Sequence, residues 1–253
     1  MDIGKCISRS FKYPFKDFSN FKFVMLFFVL WFLLFYEILY DVSLGIVDYI
    51  SLILVLILIL VMSGYLISII KNGIAQDTEV SKFNIKKNIV DRFKVFLIAL
   101  VYAIIPVIVM LIVAFSFGIF AYSGIDLTNL STAQSNQIAL GIIITVLIAL
   151  LVEFIYTIFL IVALARFAHY ESTSQALEFG KVYRDIRKIG IGKLIGGLIL
   201  TNIIFNLIAR FGILLILIPV AGGLIYLMIL LPFALLFYAY SIGCIYSNVL
   251  QTE

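Results

Sequence analysis

Glu153, Asn202, Asn206 and Arg210 stand inside otherwise apolar runs, where polar groups of this kind could do chemistry. Asn202, Asn206 and Arg210 recur at i, i+4 and i+8, which lines them up as one stripe on a helix. Glu153 lies thirteen residues before Arg166, and Asn206 thirteen residues after Lys193. At 1.5 Å per residue both sit ~20 Å from the nearest flanking cation. Thr157 and Asn202 match in the same way, nearer that cation. If the two helices are neighbours, Glu153 faces Asn206, with Arg210 one turn beyond.

Such a group has two uses. A charge at the bilayer centre costs about 2.5–3.5 kcal/mol on insertion scales, so it needs a partner or a water-lined cavity. A Glu153–Arg210 pair supported by two asparagines satisfies that need and ties two helices together. The same group could instead bind a proton or a substrate. Protonation of Glu153 with outward snorkelling of Arg210 is a further solution.

Catalytic patterns are missing. The sequence has no His-Glu-x-x-His pair, no Gly-Lys-Ser phosphate loop and no paired intramembrane aspartates. His169 is the sole histidine, which removes a multi-histidine metal site. A serine nucleophile would need a lysine base, yet every lysine lies in a basic segment between apolar runs. The expectation is a protein that is not an enzyme, with no cofactor and no metal.

The elements that position these residues follow from composition. Of 253 residues 64% are hydrophobic and 13% charged, and mean hydropathy is +1.20. A soluble domain carries about a quarter charged residues, so lipid must solvate much of this chain. A pI near 8.9 would suit a nucleic-acid binder, but membrane topology explains the placement of the cations better. No nucleic-acid partner is expected.

Charges punctuate the chain into three long apolar stretches, Lys22 to Lys71, Lys94 to Arg166, and Lys193 onward. Each is roughly twice the ~20 residues one helix needs, so each reads as a helical hairpin. The fold expected is all-α, one transmembrane domain over 1–253. Its six spans lie near 22–40, 46–70, 95–118, 138–165, 194–216 and 223–246. Gly45, the stretch from Gly124 to Gln137, and Pro219 with Gly222 and Gly223 mark the turns. Pro106 and Pro232 fall near mid-span, where they kink a helix or open its hydrogen-bond ladder. Gly192, Gly196 and Gly197 predict close helix approach.

Seventeen of the eighteen Lys and Arg residues lie in the N-terminal segment, the 71–94 connection or the 166–193 connection, Arg210 being the exception. The positive-inside rule then puts both termini and these connections in the cytoplasm of a cell-membrane protein. Cys6 and Cys244 fall on that side, where thiols stay reduced, so no disulfide is expected. The cations of the first twenty residues break any apolar core, which argues against a secretory signal. Asn129-Leu130-Ser131 is a glycosylation acceptor triplet on the opposite side.

The three basic segments share a pattern. Ile3, Ile7, Phe11, Phe15 and Phe18 interleave with Lys5, Arg9, Lys12 and Lys16. Phe83, Ile85, Ile89, Val90 and Phe93 interleave with Lys82, Lys86, Lys87 and Arg92. Phe179, Val182, Tyr183, Ile186 and Ile189 interleave with Lys181, Arg184, Arg187 and Lys188. Each reads as a short amphipathic helix on the cytoplasmic face, apolar side down, leading into a hairpin. Repeat units 1–70, 80–166 and 176–247 would explain this, and so would positive-inside topology alone. The cations Lys5, Arg9, Lys12, Lys16, Lys86, Lys87, Arg92, Arg184, Arg187 and Lys188 form a surface for anionic lipid headgroups or for a membrane or cytoplasmic protein partner.

Tyr13-Pro14 with Asp17, Gly64-Tyr65-Leu66 with Ile69-Ile70-Lys71-Asn72, and Val90-Asp91 with Phe93-Lys94-Val95 form recognisable motifs. So do Ala163-Leu164-Ala165-Arg166-Phe167-Ala168 and Ala176-Leu177-Glu178-Phe179-Gly180 with Val182. Together they resemble the archaeal and bacterial domain of unknown function 4013. That family usually has an acidic, proline-containing stretch before its third span, and Val80-Ser81-Lys82-Phe83 has no proline. The resemblance implies a six-helix membrane topology and supplies no activity. Two functions fit: a membrane interaction or organising protein, slightly favoured, and a small transporter or lipid-translocating protein using the Glu153–Arg210 level.

Overall fold

The computed structural model describes residues 2–16, 24, 25, 30, 46–77, 79, 81–116, 132–215, 218 and 221–250. Among them the chain is all helical: α1 (Ile3–Lys16), α2 (Ile46–Ala75), α3 (Ile85–Ser116), α4 (Thr132–Tyr170), α5 (Thr173–Leu177), α6 (Phe179–Ile189), α7 (Ile191–Leu215), α8 (Ala221–Ile225) and α9 (Leu231–Tyr246). Five described helices contain stretches long and apolar enough to cross a membrane: Leu52–Ala75, Ile85–Ser116, Ile138–Tyr170, Ile191–Gly212 and Met228–Tyr246. The expected first span, 22–40, lies outside the described residues apart from 24, 25 and 30, as does the Asn129 triplet.

Two helix ends follow directly from local chemistry. At the start of α3 the Asn84 side chain accepts the Lys87 N–H at 3.1 Å, an N-cap. At the end of α2 the Gln76 N–H reaches Gly73 O at 3.2 Å and the Asp77 N–H reaches Asn72 O at 2.9 Å. This is a Schellman closure with Gln76, at φ 55°, in the left-handed position that usually takes glycine.

The basic segments differ from free interfacial helices. Residues 85–94 are the opening turns of α3, continuous with its apolar length. No glycine or proline precedes Pro106 in this helix, so nothing stops helix propagation. α6 is separate because Gly190, at φ 88°, breaks the chain before α7. Its Val182, Ile186 and Ile189 join the protein core rather than facing outward. α1 lies against α9 through Cys6, Ile7, Ser10, Tyr13 and Pro14. Phe11 and Phe15, which the apolar spacing placed on the membrane side, meet the rings of Phe233 and Phe237.

Packing is densest where α2 and α9 meet. The predicted close approach at Gly192 and Gly196 is absent, since an added Cβ there meets open space; at Gly197 it would press on the Ile245 side chain at 3.0 Å. Helix contact needs glycine elsewhere: at Gly64 a Cβ would fall 1.7 Å from the Asn88 carbonyl oxygen. Pro106 sits within continuous α3. Pro232 stands at the start of α9, directly after a π-helical turn, Tyr226–Leu230. A widened turn there accommodates the carbonyl that proline cannot pair.

Candidate functional site

The α4 and α7 helices flank a cleft of about 470 Å³. Its walls are mainly apolar: Phe154, Ile158 and Ile161 on α4, Ile195, Leu198, Ile199 and Ile203 on α7. Thr157, Asn202, Asn206 and Arg210 also line it, so four of the five sequence-nominated cluster residues share one space. Glu153 does not line the cleft; it is exposed, and among the described residues its carboxylate takes a single long hydrogen bond, 3.5 Å, from Thr157 Oγ1. Among the described residues Glu153 and Arg210 form no ion pair.

The asparagine stripe is partly self-satisfied. Asn202 Nδ2 donates to Leu198 O at 3.3 Å, and Asn206 Nδ2 to Asn202 O at 2.9 Å. Beside the stripe, the Phe205 ring of α7 meets the Tyr238 ring of α9 at 5.3 Å. Arg210 is exposed at one end of the cleft. An apolar slot with amides along one wall and a guanidinium at its end suits an amphiphile with an anionic group, since the cation needs a counter-charge in low dielectric. A second pocket of about 330 Å³, between α3 and α4 and lined by Tyr102, Pro106, Tyr156 and Phe159 among others, is almost wholly apolar.

At the opposite, basic end the helices close around an ion pair that spacing alone did not single out. Arg166 Nη1 lies 2.5 Å from Asp185 Oδ2, with both side chains about 95% buried. Tyr246 OH donates to the same carboxylate oxygen at 2.7 Å. Arg166 Nε and Nη2 donate to Gln175 O and Oε1 at 2.8 and 2.9 Å, and its guanidinium lies over the Tyr170 ring. Tyr102 OH reaches Ala176 O at 2.8 Å, bringing α3 into the same knot. A signal was present: Val182, Asp185, Ile186 and Ile189 share one stripe of α6, so an acid stands on a buried face.

The nominated headgroup cations are mostly exposed, Lys5, Lys12, Lys16, Lys86, Arg184 and Arg187 among them, while Arg92 and Lys188 are partly buried. Several are engaged within the protein. Arg9 donates to Gln76 Oε1. Lys87, with Lys71, holds Glu171, at 3.2 and 2.5 Å. These hydrogen bonds, from Lys71 and then Lys87, hold the Glu171 carboxyl below the ordinary glutamate range. Arg187 rests over the Tyr183 ring. Cys6 and Cys244, 238 positions apart, are buried free thiols in hydrogen-bond contact. That contact, and burial after it, push the Cys6 thiol up.

Long apolar helices, knotted at a basic end and parted by a cleft, define a multi-pass α-helical membrane protein. Residues 47–218 match the family described as protein of unknown function (DUF4013), and the chain belongs to that family. No curated protein and no solved structure matches it.

Proposed function

We propose that the protein is a non-enzymatic membrane interaction and organising protein of six spans, with 22–40 as the first and both termini cytoplasmic. Its basic end grips anionic headgroups. The observation that carries this reading is the exposure of Lys5, Lys12, Lys16, Lys86, Arg184 and Arg187 on an end held together by the buried Arg166–Asp185–Tyr246 knot. Each basic residue near an anionic surface contributes roughly 1 kcal/mol, and salt screens it. Reconstitution in neutral and in anionic nanodiscs tests the idea. The anionic lipid should raise the melting temperature, and added salt should erase the gain. Equal stability in both lipids would remove the reading.

A second function, transport or lipid translocation, is favoured by the open α4–α7 cleft. A purely structural Glu153–Arg210 clamp would leave no such space between these groups. Movement of a fluorescent anionic lipid in proteoliposomes should fall sharply in Arg210→Gln while the protein stays folded. Unchanged movement would leave the organising role alone.

A further inference from the structure

A smaller cavity, of about 280 Å³, lies between α1 and the ends of α2 and α9, lined by Arg9, Lys12, Tyr13, Lys16, Gln76 and Tyr240. The three cations fall at i, i+3 and i+7, one face of α1. We propose that this cavity is a binding site for one phosphate-bearing lipid headgroup. The proposal rests on the headgroup-gripping function above and narrows it to one site.

The cavity is built rather than incidental. The Tyr13 and Tyr240 rings stack at 4.3 Å and form one wall. Tyr240 OH donates to Asp77 O at 3.0 Å, and Asn72 Nδ2 donates to Tyr13 OH at 3.0 Å. Gln76 is held in the left-handed conformation that a side chain rarely adopts. From there its amide oxygen receives Arg9 and its Nε2 donates to Ser247 Oγ at 3.2 Å. A strained residue fixed from two sides orients the guanidinium toward the cavity; such strain clusters at binding sites.

Among the described residues the charged lining is all basic. Lys12 and Lys16 are exposed and form no ion pair among the described residues. Asp77 and Glu79 follow Gln76 closely in sequence but do not line the cavity, and the Asp77 carboxylate accepts the Glu79 N–H at 3.1 Å. The volume is about nine times the ~30 Å³ of a liquid water, enough for a phosphate's five heavy atoms and part of the polyol that carries it. Phosphate suits a cluster of an arginine and two lysines. A lipid, rather than a free phosphate, is indicated by position. Gln76 directly follows the apolar stretch ending at Ala75, and Tyr240 lies in the last two turns of the one ending at Tyr246. Phe15, 66% exposed on the same helix, offers an apolar neighbour for the lipid body.

The test uses the full chain in phosphatidylcholine nanodiscs containing phosphatidylglycerol, with bound phosphatidylglycerol counted by native mass spectrometry. Lys12→Gln/Lys16→Gln should weaken the tightest phosphatidylglycerol about thirtyfold, from roughly fivefold per lysine near the surface. Lys82→Gln/Lys193→Gln, which removes equal charge from exposed sites outside the cavity, should leave it. Lys12→Arg/Lys16→Arg should retain binding, separating loss of charge from loss of fold. Equal loss in both neutralised pairs would overturn the site while sparing a general basic surface. Absence of phosphatidylglycerol binding in the unmodified protein would remove the parent reading and the site together. Displacement of the lipid by equimolar inorganic phosphate or glycerophosphate would assign the cavity to a soluble phosphate and overturn the lipid proposal.

Discussion

Gly73 and Gly243 face each other where α2 and α9 cross, and neither has room for a methyl group. A Cβ on Gly243 would lie 2.0 Å from Ile70 O and 2.9 Å from Gly73 Cα; one on Gly73 would lie 2.3 Å from Tyr240 O. Backbone meets backbone here, so no flexible side chain can yield. Gly243→Ala should therefore cost at the upper end of the 1–3 kcal/mol typical of overpacking. Gly192→Ala, in open space, should be neutral or slightly stabilising through helix propensity. Thermal unfolding of the two variants in one detergent checks this contrast.

Breaking the buried Arg166–Asp185 pair should be costly in either direction. Arg166→Met leaves a buried carboxylate with only Tyr246 as donor, and Asp185→Asn leaves a buried guanidinium without its counter-charge. A loss of about 3–5 kcal/mol is expected for each. The double variant should lose less than the sum of the singles. A double-mutant cycle by chemical denaturation measures the coupling, and strict additivity would mean that the pair does not act as a unit.

Glu171 adds a pH dependence. Its carboxyl is held down by Lys71 and Lys87, so its contribution is fully present above the ordinary glutamate value of 4.5. It is lost as pH falls through the lower folded value. The carboxylate is 52% exposed, so the effect belongs to the small surface class, below about 1 kcal/mol. Glu171→Gln should flatten part of the acid limb of a melting-temperature-versus-pH profile. An unchanged limb would show that the contact contributes nothing in solution.

Cys6 and Cys244 should resist alkylation in the folded protein near neutral pH. Both are buried, and the Cys6 thiol is pushed up, so thiolate is scarce. Maleimide labelling should be complete in denaturant and slow without it. Rapid labelling of the folded protein would mean that α1 leaves α9 readily.

Much of the architecture was legible in residue order. Long apolar runs bounded by lysine and arginine satisfy their backbone within lipid as helices, and five such runs are helical where expected, α2, α3, α4, α7 and the α8–α9 region. The motifs from Gly64 to Val182 carried the family. Periodicity also placed Asn202, Asn206 and Arg210 on one face of α7, where they line the cleft.

Partners across the bundle were decided by tertiary structure. Spacing fixes the face of a helix but not what that face meets: depth matching set Glu153 opposite Asn206 with Arg210 one turn beyond, while the cleft holds Asn206 and Arg210 without Glu153. Glycines were nominated at 192, 196 and 197, yet only 197 meets a neighbouring side chain and backbone contact falls at 64, 73 and 243, because crossing points depend on helix axes that local sequence does not encode. Amphipathic periodicity found α1 and α6 but could not distinguish a lipid surface from a protein core as the destination of their apolar sides. Asp185, Arg166 and Tyr246 come from three separate elements, and only the closed bundle makes them one site.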